Sequence, residues 1–234
     1  MYLTYTNEGM PIGAFWGYKT DGLIQTQEQL NAVKRADFQP NAELGDVLFV
    51  DTNGDGKLDS SDRCMIGNPI PDIIYGINMG MAWKGFDLNL QFGGTIGNQI
   101  FNAMRYYTYF PNDITNKDRA LMNYWTPNNT NTDIPRLTAT DVNDNDRFSD
   151  MYVENGTYFR LRNAQLGYTL PASLTQRIKL QKVRFYVSGQ NLFTISSYSG
   201  MDPEVGQSSS LSRGIDYGIY PQNISFTGGI NVTF

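Results

Sequence analysis

Tyr75-Gly76-Ile77-Asn78-Met79-Gly80-Met81-Ala82-Trp83-Lys84-Gly85-Phe86-Asp87-Leu88-Asn89-Leu90-Gln91-Phe92-Gly93 is the stretch whose reading decides the fold. Up to Trp83 every odd position is apolar, and the residues between are small or polar. After Lys84-Gly85 the apolar positions become the even ones, Phe86, Leu88, Leu90 and Phe92. Period-2 alternation on both sides of a Gly-containing dipeptide predicts a β-hairpin with one apolar and one small-polar face. A soluble sheet would need a second layer over the apolar face. In an outer-membrane barrel lipid covers it, and the small-polar face lines a lumen. The hairpin alone leaves both open.

The same pattern recurs downstream. Phe159 and Leu161 alternate with Arg160 and Arg162, and then the phase shifts near Asn163 to Ala164, Leu166, Tyr168 and Leu170. A one-residue slip predicts a β-bulge, and Pro171 ends the run. Val183, Phe185 and Val187 face away from Arg184, Tyr186 and Ser188. In the final stretch Ile224, Phe226, Gly228, Ile230, Val232 and Phe234 alternate with Asn223, Ser225, Thr227, Gly229, Asn231 and Thr233. A terminal strand closing on an aromatic residue is a common ending of outer-membrane barrels.

Between these strands lie long polar segments. Residues 98–156 hold Pro111, Pro127, Pro135 and many Asn and Asp, with a short helix predicted from Asn116 to Trp125 that places Leu121, Met122 and Trp125 on one side. Residues 196–222 are rich in Ser, Gly, Tyr and Pro. Short turns at one end and long polar connections at the other is the barrel asymmetry, and compact soluble domains seldom carry two such connections. The 15 Tyr, 13 Phe, 3 Trp and 23 Gly in 234 residues suit a β-rich chain. No stretch approaches the roughly 18 apolar residues of a spanning helix, but a barrel strand needs only about 9–11. The opening residues have no signal-peptide pattern.

Composition also excludes functions. With 18 Lys+Arg against 23 Asp+Glu there is no basic stripe, so no nucleic-acid partner is expected. There is no histidine, which removes Ser-His-Asp and Cys-His catalysis and imidazole zinc sites within the chain. The one cysteine, Cys64, is expected to be a small, partly buried side chain. The acidic run Asp141 to Asp146, with Asp150 and Glu154, supplies carboxylates of the type used in glycoside hydrolysis, but nothing places two of them across a sugar; a solvated loop face is the expectation. No enzyme is expected. Tyr106, Tyr107, Tyr109 and Phe110 suit sugar stacking, an interfacial belt or loop packing, and the sequence leaves these open.

One segment carries readable site chemistry. Asp51-Thr52-Asn53-Gly54-Asp55-Gly56-Lys57-Leu58-Asp59-Ser60-Ser61-Asp62 fits the calcium-loop pattern D-x-[DN]-x-[DN]-G. Asp51, Asn53 and Asp55 offer side-chain oxygens at alternate positions, and Gly56 permits the sharp turn. Lys57 would give its backbone carbonyl, and Asp59 fills the position that often acts through water. Asp62 stands where an EF-hand has a bidentate Glu, one methylene shorter. The strand-like Val47–Val50 before the loop, where an EF-hand has a helix, points to a structural Ca2+ that pins a long loop and is closer to the dockerin-type pattern. A solvated Asn-Gly, Asp-Gly turn would look similar in part.

Taken in order, further motifs resemble the C-terminal part of the SusC/RagA family of TonB-dependent outer-membrane transporters. They are Gly13-Ala14-Phe15-Trp16-Gly17-Tyr18-Lys19-Thr20-Asp21-Gly22-Leu23, the loop from Gly45 to Arg63, Ile66-Gly67-Asn68-Pro69-Ile70-Pro71-Asp72, and Tyr124-Trp125-Thr126-Pro127. They continue through Gly156-Thr157-Tyr158-Phe159-Arg160-Leu161-Arg162-Asn163, Leu166-Gly167-Tyr168-Thr169-Leu170-Pro171, Val187-Ser188-Gly189-Gln190-Asn191-Leu192-Phe193, Tyr198-Ser199-Gly200-Met201-Asp202-Pro203-Glu204 and Asp216-Tyr217-Gly218-Ile219-Tyr220-Pro221-Gln222. Each motif is weak alone; their shared order is the signal, and it covers about Gly9 to Phe234. The resemblance implies an all-β fold: residues 1–234 would form a portion of an antiparallel transmembrane β-barrel with long extracellular loops, located in the cell outer membrane. It implies import of oligosaccharides, or sometimes peptides, powered by TonB and assisted by a SusD-like surface lipoprotein, with membrane lipid around the wall. A complete member has an N-terminal plug, a TonB box and about 22 strands. Their absence here implies that Met1 is an internal start or that the sequence is truncated. The competing reading is a soluble, secreted, calcium-stabilised β-domain that binds glycans.

Overall fold

The computed structural model describes residues 2–109, 116–206 and 209–234. Phe110 and Pro111, singled out in the sequence, lie outside the described residues. The chain divides into two compact units.

One unit comprises residues 71–98, 156–203 and 220–234. It is built on a five-stranded antiparallel sheet of β1 (Ile73–Trp83), β2 (Phe86–Ile96), β3 (Tyr158–Thr169), β4 (Lys182–Ser196) and β5 (Ser225–Thr233). Each strand pairs with its neighbour in the chain, giving the spatial order β5-β4-β3-β2-β1. The hairpin forms as expected: Trp83 pairs with Phe86, and Lys84 and Gly85 both have positive φ, 47° and 86°. Positive φ at both central residues defines the type I′ turn whose twist matches the flanking strands.

The predicted bulge is also present. Register shifts between Leu161 and Asn163 against both neighbours of β3. The same place adds a residue to β4, where Asn191 has φ 52°. These extra residues explain why the alternation around Val183–Val187 fades in the sequence although β4 runs on to Ser196.

Register turns the alternation into two faces. Trp83, Phe86, Tyr168, Phe185 and Ile230 form one cross-strand row; Met79, Leu90, Ala164, Gly189 and Phe226 form another. A further aromatic row holds Tyr75 and Phe159, whose rings stack at 6.4 Å across Gly94. A Cβ at Gly94 would meet the Tyr75 hydroxyl at 2.5 Å, so this close stacking requires glycine. Among the described residues no layer covers this face: Met81, Trp83 and Phe226 are 66%, 69% and 74% exposed. The opposite face carries Asn78, Asn89, Gln91, Asn163, Gln165, Ser188 and Thr227 beside Gly76, Gly80 and Gly229.

The other unit comprises residues 1–70, 99–155 and 204–219. Here short strands are stitched together: Thr4–Tyr5, Ala14–Gly17 and Cys64–Gly67 form one sheet, Thr20–Leu23 pairs with Val47–Phe49, and Gln99–Asn102 lies between Val153–Asn155 and Ile215–Asp216. Helix α1 (Gln27–Arg35) starts with a capping box in which Thr26 accepts from the Gln29 amide and Gln29 answers to the Thr26 amide. Three apolar clusters fill the unit, centred on Phe15, Phe101 and Tyr152, on Tyr18, Phe49 and Trp125, and on Ile24, Leu30 and Ala42. The connection 98–156 is therefore not structureless, since it supplies Phe101, Trp125 and Tyr152 to these clusters. The helix expected over Asn116–Trp125 is a 3-10 turn, Arg119–Asn123, which buries Leu121 but leaves Met122 80% exposed.

Candidate functional site

The calcium-type loop follows the short strand Val47–Phe49 and ends in a 3-10 turn, Ser60–Asp62. Asp51 Oδ1 accepts from the Gly54 amide at 2.7 Å, and its Oδ2 accepts from the Gly56 amide at 2.8 Å. Asn53 Oδ1 accepts from the Asp55 amide, Asp55 Oδ1 from the Lys57 amide, and Asp59 Oδ1 from the Ser61 amide. The oxygens at alternate positions are thus arranged as successive side-chain-closed turns. The amide N–H of Gly56 holds the Asp51 carboxyl below its ordinary range, helped by those of Gly54 and Asp55. The Ser61 amide does the same for Asp59.

Asp62 is fully buried. Its Oδ1 accepts from the Thr52 amide at 3.0 Å and its Oδ2 from the Asp59 amide at 2.9 Å, so it ties the start of the loop to the turn that closes it. The donor set of Asp51, Asn53, Asp55, Asp59, Asp62 and the Lys57 carbonyl has the hard-oxygen chemistry that Ca2+ takes. Each carboxylate oxygen bound to one amide keeps a second lone pair. Among the described residues, however, no three acidic, histidine or cysteine side chains are gathered as a ready-made metal cage. The residues fit the ion in chemistry, in a loop closed by its own amides.

The acidic run at 141–146 is not the solvated face expected from sequence. Asn143 and Asn145 are buried, 5% and 1% exposed. Asn145 Oδ1 accepts from the Val47 amide at 2.8 Å, while Gln39 takes the Phe49 amide and donates to the Val47 carbonyl. Side-chain amides thereby satisfy the backbone of Val47–Phe49 on the side that a further strand would occupy. Fully buried Asp46 joins the network, accepting from Asn145 at 3.1 Å and from Arg136 at 2.6 Å. Burial, then the neighbouring Asp146, raises the Asp141 carboxyl; burial, then Asp144, raises Asp146. Asp150 accepts from the Thr20 amide and hydroxyl, and Glu154 accepts from Asn102. These carboxylates hold loops, not a reacting centre.

In the sheet unit two ion pairs carry the polar groups. Arg184 spans Gly167 to reach Asp87 at 2.9 and 2.5 Å, and a Cβ on Gly167 would lie 2.3 Å from the guanidinium. Arg160, 2% exposed, donates to Asp202 at 2.5 Å and to Thr194 at 2.8 Å. The second Asp202 oxygen accepts from the Gln222 amide at 3.0 Å. The motifs Gly156–Asn163 and Tyr198–Glu204 therefore meet at one buried carboxylate, a contact that spacing in the sequence does not reveal.

No protein-family model matches the chain. It is 39% identical, over 97% of its length, to TonB-dependent receptor P3 of Formosa agariphila, and 29% identical over 84% to TonB-dependent receptor SusC of Bacteroides thetaiotaomicron. It spans only 22% and 18% of those relatives. Among solved structures, that of the RagAB peptide transporter superposes with a TM-score of 0.71 at 24% identity, covering 100% of this chain and 24% of that one. That likeness speaks to the fold: an uncovered apolar sheet face is what a barrel wall presents to lipid. The relatives named are receptors and transporters, not enzymes. The chain belongs to the SusC/RagA family of TonB-dependent receptors, as a portion of their outer-membrane β-barrel.

Proposed function

We propose that this chain is the wall and loop portion of a transporter that imports oligosaccharides, or peptides, across the outer membrane. It would act with a SusD-like lipoprotein and draw energy from TonB through segments outside the chain. The observation that carries this reading is the five-stranded sheet with one lipid-ready face and one polar, glycine-rich face. Oligosaccharide is favoured over peptide as cargo by an inward face rich in Asn, Gln, Ser and Thr, on which the charges of Asp87 and Arg184 are paired with each other. The RagAB structures, in contrast, are named for peptide transport. A soluble secreted domain is set aside, because it would leave this apolar face in water.

The test is uptake of end-labelled neutral oligosaccharides and of labelled peptides by cells making the receptor, with and without TonB, together with recovery of the lipoprotein in detergent. Uptake that ignores TonB, or a receptor recovered without any surface lipoprotein, refutes the proposal.

We further propose that loop 51–62 binds Ca2+ in a structural role. Support comes from the alternating oxygens and from the depressed Asp51 and Asp59 carboxyls, which keep the loop anionic. Asp51, Asn53, Asp55, Asp59, Asp62 and the Lys57 carbonyl would hold the ion, which would offset repulsion among four carboxylates. Calcium should slow proteolysis within residues 51–62 in the wild type and not in Asp51→Asn with Asp55→Asn; no calcium effect on the wild type counts against it.

A further inference from the structure

The unit that carries the short strands contains a cavity of about 290 Å³ that the reading so far leaves without a role. Four separate segments bring aromatic rings to it, the first through Tyr2. Its floor is Phe101, Tyr106 and Phe148, and Tyr107 and Tyr217 stand at its edge, 49% and 56% exposed. Thr4 and Ser212 add hydroxyls to the lining. Among the described residues none that lines it is charged.

The floor is rigid. The Tyr106 ring lies 4.9 Å from Phe148, 5.2 Å from Tyr107 and 5.3 Å from Tyr152, and Phe101 meets Phe148 edge-on at 5.9 Å. Rings locked by their neighbours lose little freedom when something binds on them. Burial pushes the Tyr106 hydroxyl up to about 12, so it keeps its proton and remains a donor.

Aromatic faces, hydroxyl rims and an absence of charge select one kind of occupant. A pyranose has an apolar face of C–H bonds and a rim of hydroxyls that both donate and accept. A peptide brings charged termini and a backbone that needs paired partners. The volume is at the small end for ligand pockets, suited to a single ring and not to a chain. We propose that this cavity is a subsite for one neutral sugar ring of the transported glycan, an assignment that rests on the glycan-import reading above.

The test uses the receptor in outer membranes, with fluorescently end-labelled neutral hexaoses of gluco, manno, galacto and xylo configuration. Tyr107→Ala and Tyr217→Ala remove half-exposed rings, so both variants are expected to assemble; surface amount is checked by antibody. Each should raise the half-saturating concentration of the preferred hexaose by about 2- to 10-fold. Tyr107→Phe, which keeps the ring, should stay within about 2-fold of wild type. Wild-type binding with both alanine variants unchanged overturns the subsite and leaves glycan import standing. A wild-type receptor that binds no neutral hexaose but takes labelled peptide overturns the glycan reading itself.

Discussion

Placing a single arginine on either side of β1 tests the assignment of its two faces. Met79 lies midway between Tyr75 and Trp83, four residues from each. At about 3.4 Å per residue that is about 14 Å along the strand. A barrel tilt of about 40° leaves roughly 10 Å along the membrane normal, so the two aromatic rows stand roughly 20 Å apart, close to the ~25 Å apolar band of outer-membrane barrels. Met79 therefore sits near the midplane, where arginine on the lipid face costs about 2–4 kcal/mol. That is a shift of roughly 30- to 1,000-fold in the folding equilibrium. Its chain neighbour Asn78 points to the opposite face, so Asn78→Arg should stay within about 0.5 kcal/mol of wild type. Ile230, in the Trp83 row, lies nearer the interface, and arginine there should cost only about 0–1 kcal/mol. Urea unfolding of the receptor in lipid vesicles reads all three. Equal losses for Met79→Arg and Asn78→Arg, or the reverse order, would refute the assignment of faces.

Gly167→Ala should lower the urea midpoint by pushing Arg184 off Asp87, and adding Asp87→Asn should cost little more; additive losses in that double-mutant cycle would show that the ion pair is not what the glycine protects. Asp202→Asn removes the carboxylate charge to which buried Arg160 donates and should cost about 3–5 kcal/mol, read as loss of folded receptor in urea unfolding. The two acidic loops should respond to pH in opposite senses. Asp141 and Asp146 have folded-state values above the ordinary carboxylate value, so their contribution is greatest at low pH and is lost as pH rises through the raised values. Asp51 and Asp59 are depressed, so theirs is present above the ordinary value and is lost as pH falls through the depressed values. Hydrogen exchange followed across the carboxylate range should show residues 141–147 tightening on acidification while 51–62 loosen, and Asp141→Asn should flatten the first response.

The sheet was legible in the sequence because its register is written in single residues. Tyr75 to Phe92 alternates without a break, and the slip at Asn163 appears as one misplaced residue. The Lys84-Gly85 turn announces itself through glycine. What failed to show were features built from contacts between distant segments. Asn143 and Asn145 look like loop residues because their function, completing hydrogen bonds for Val47–Phe49, belongs to a strand nearly a hundred residues away. Met122 looked like a core residue by spacing, but a 3-10 turn has three residues per turn and does not place it with Leu121 and Trp125. In the calcium-type loop the residue types were readable and their engagement was not. Asp62 appears as a terminal ligand in sequence, whereas its two oxygens hold the amides of Thr52 and Asp59.

The contrast between the two units has a single physical origin. A strand whose apolar side meets lipid needs no partner from its own chain, so its alternation can be regular and its neighbours are always the adjacent strands. A long connection in water has no such cover. It must bury Phe15, Phe101 and Tyr152 against one another and satisfy each buried backbone group with whatever side chain is within reach. Those solutions are non-local, and so they leave no period in the sequence.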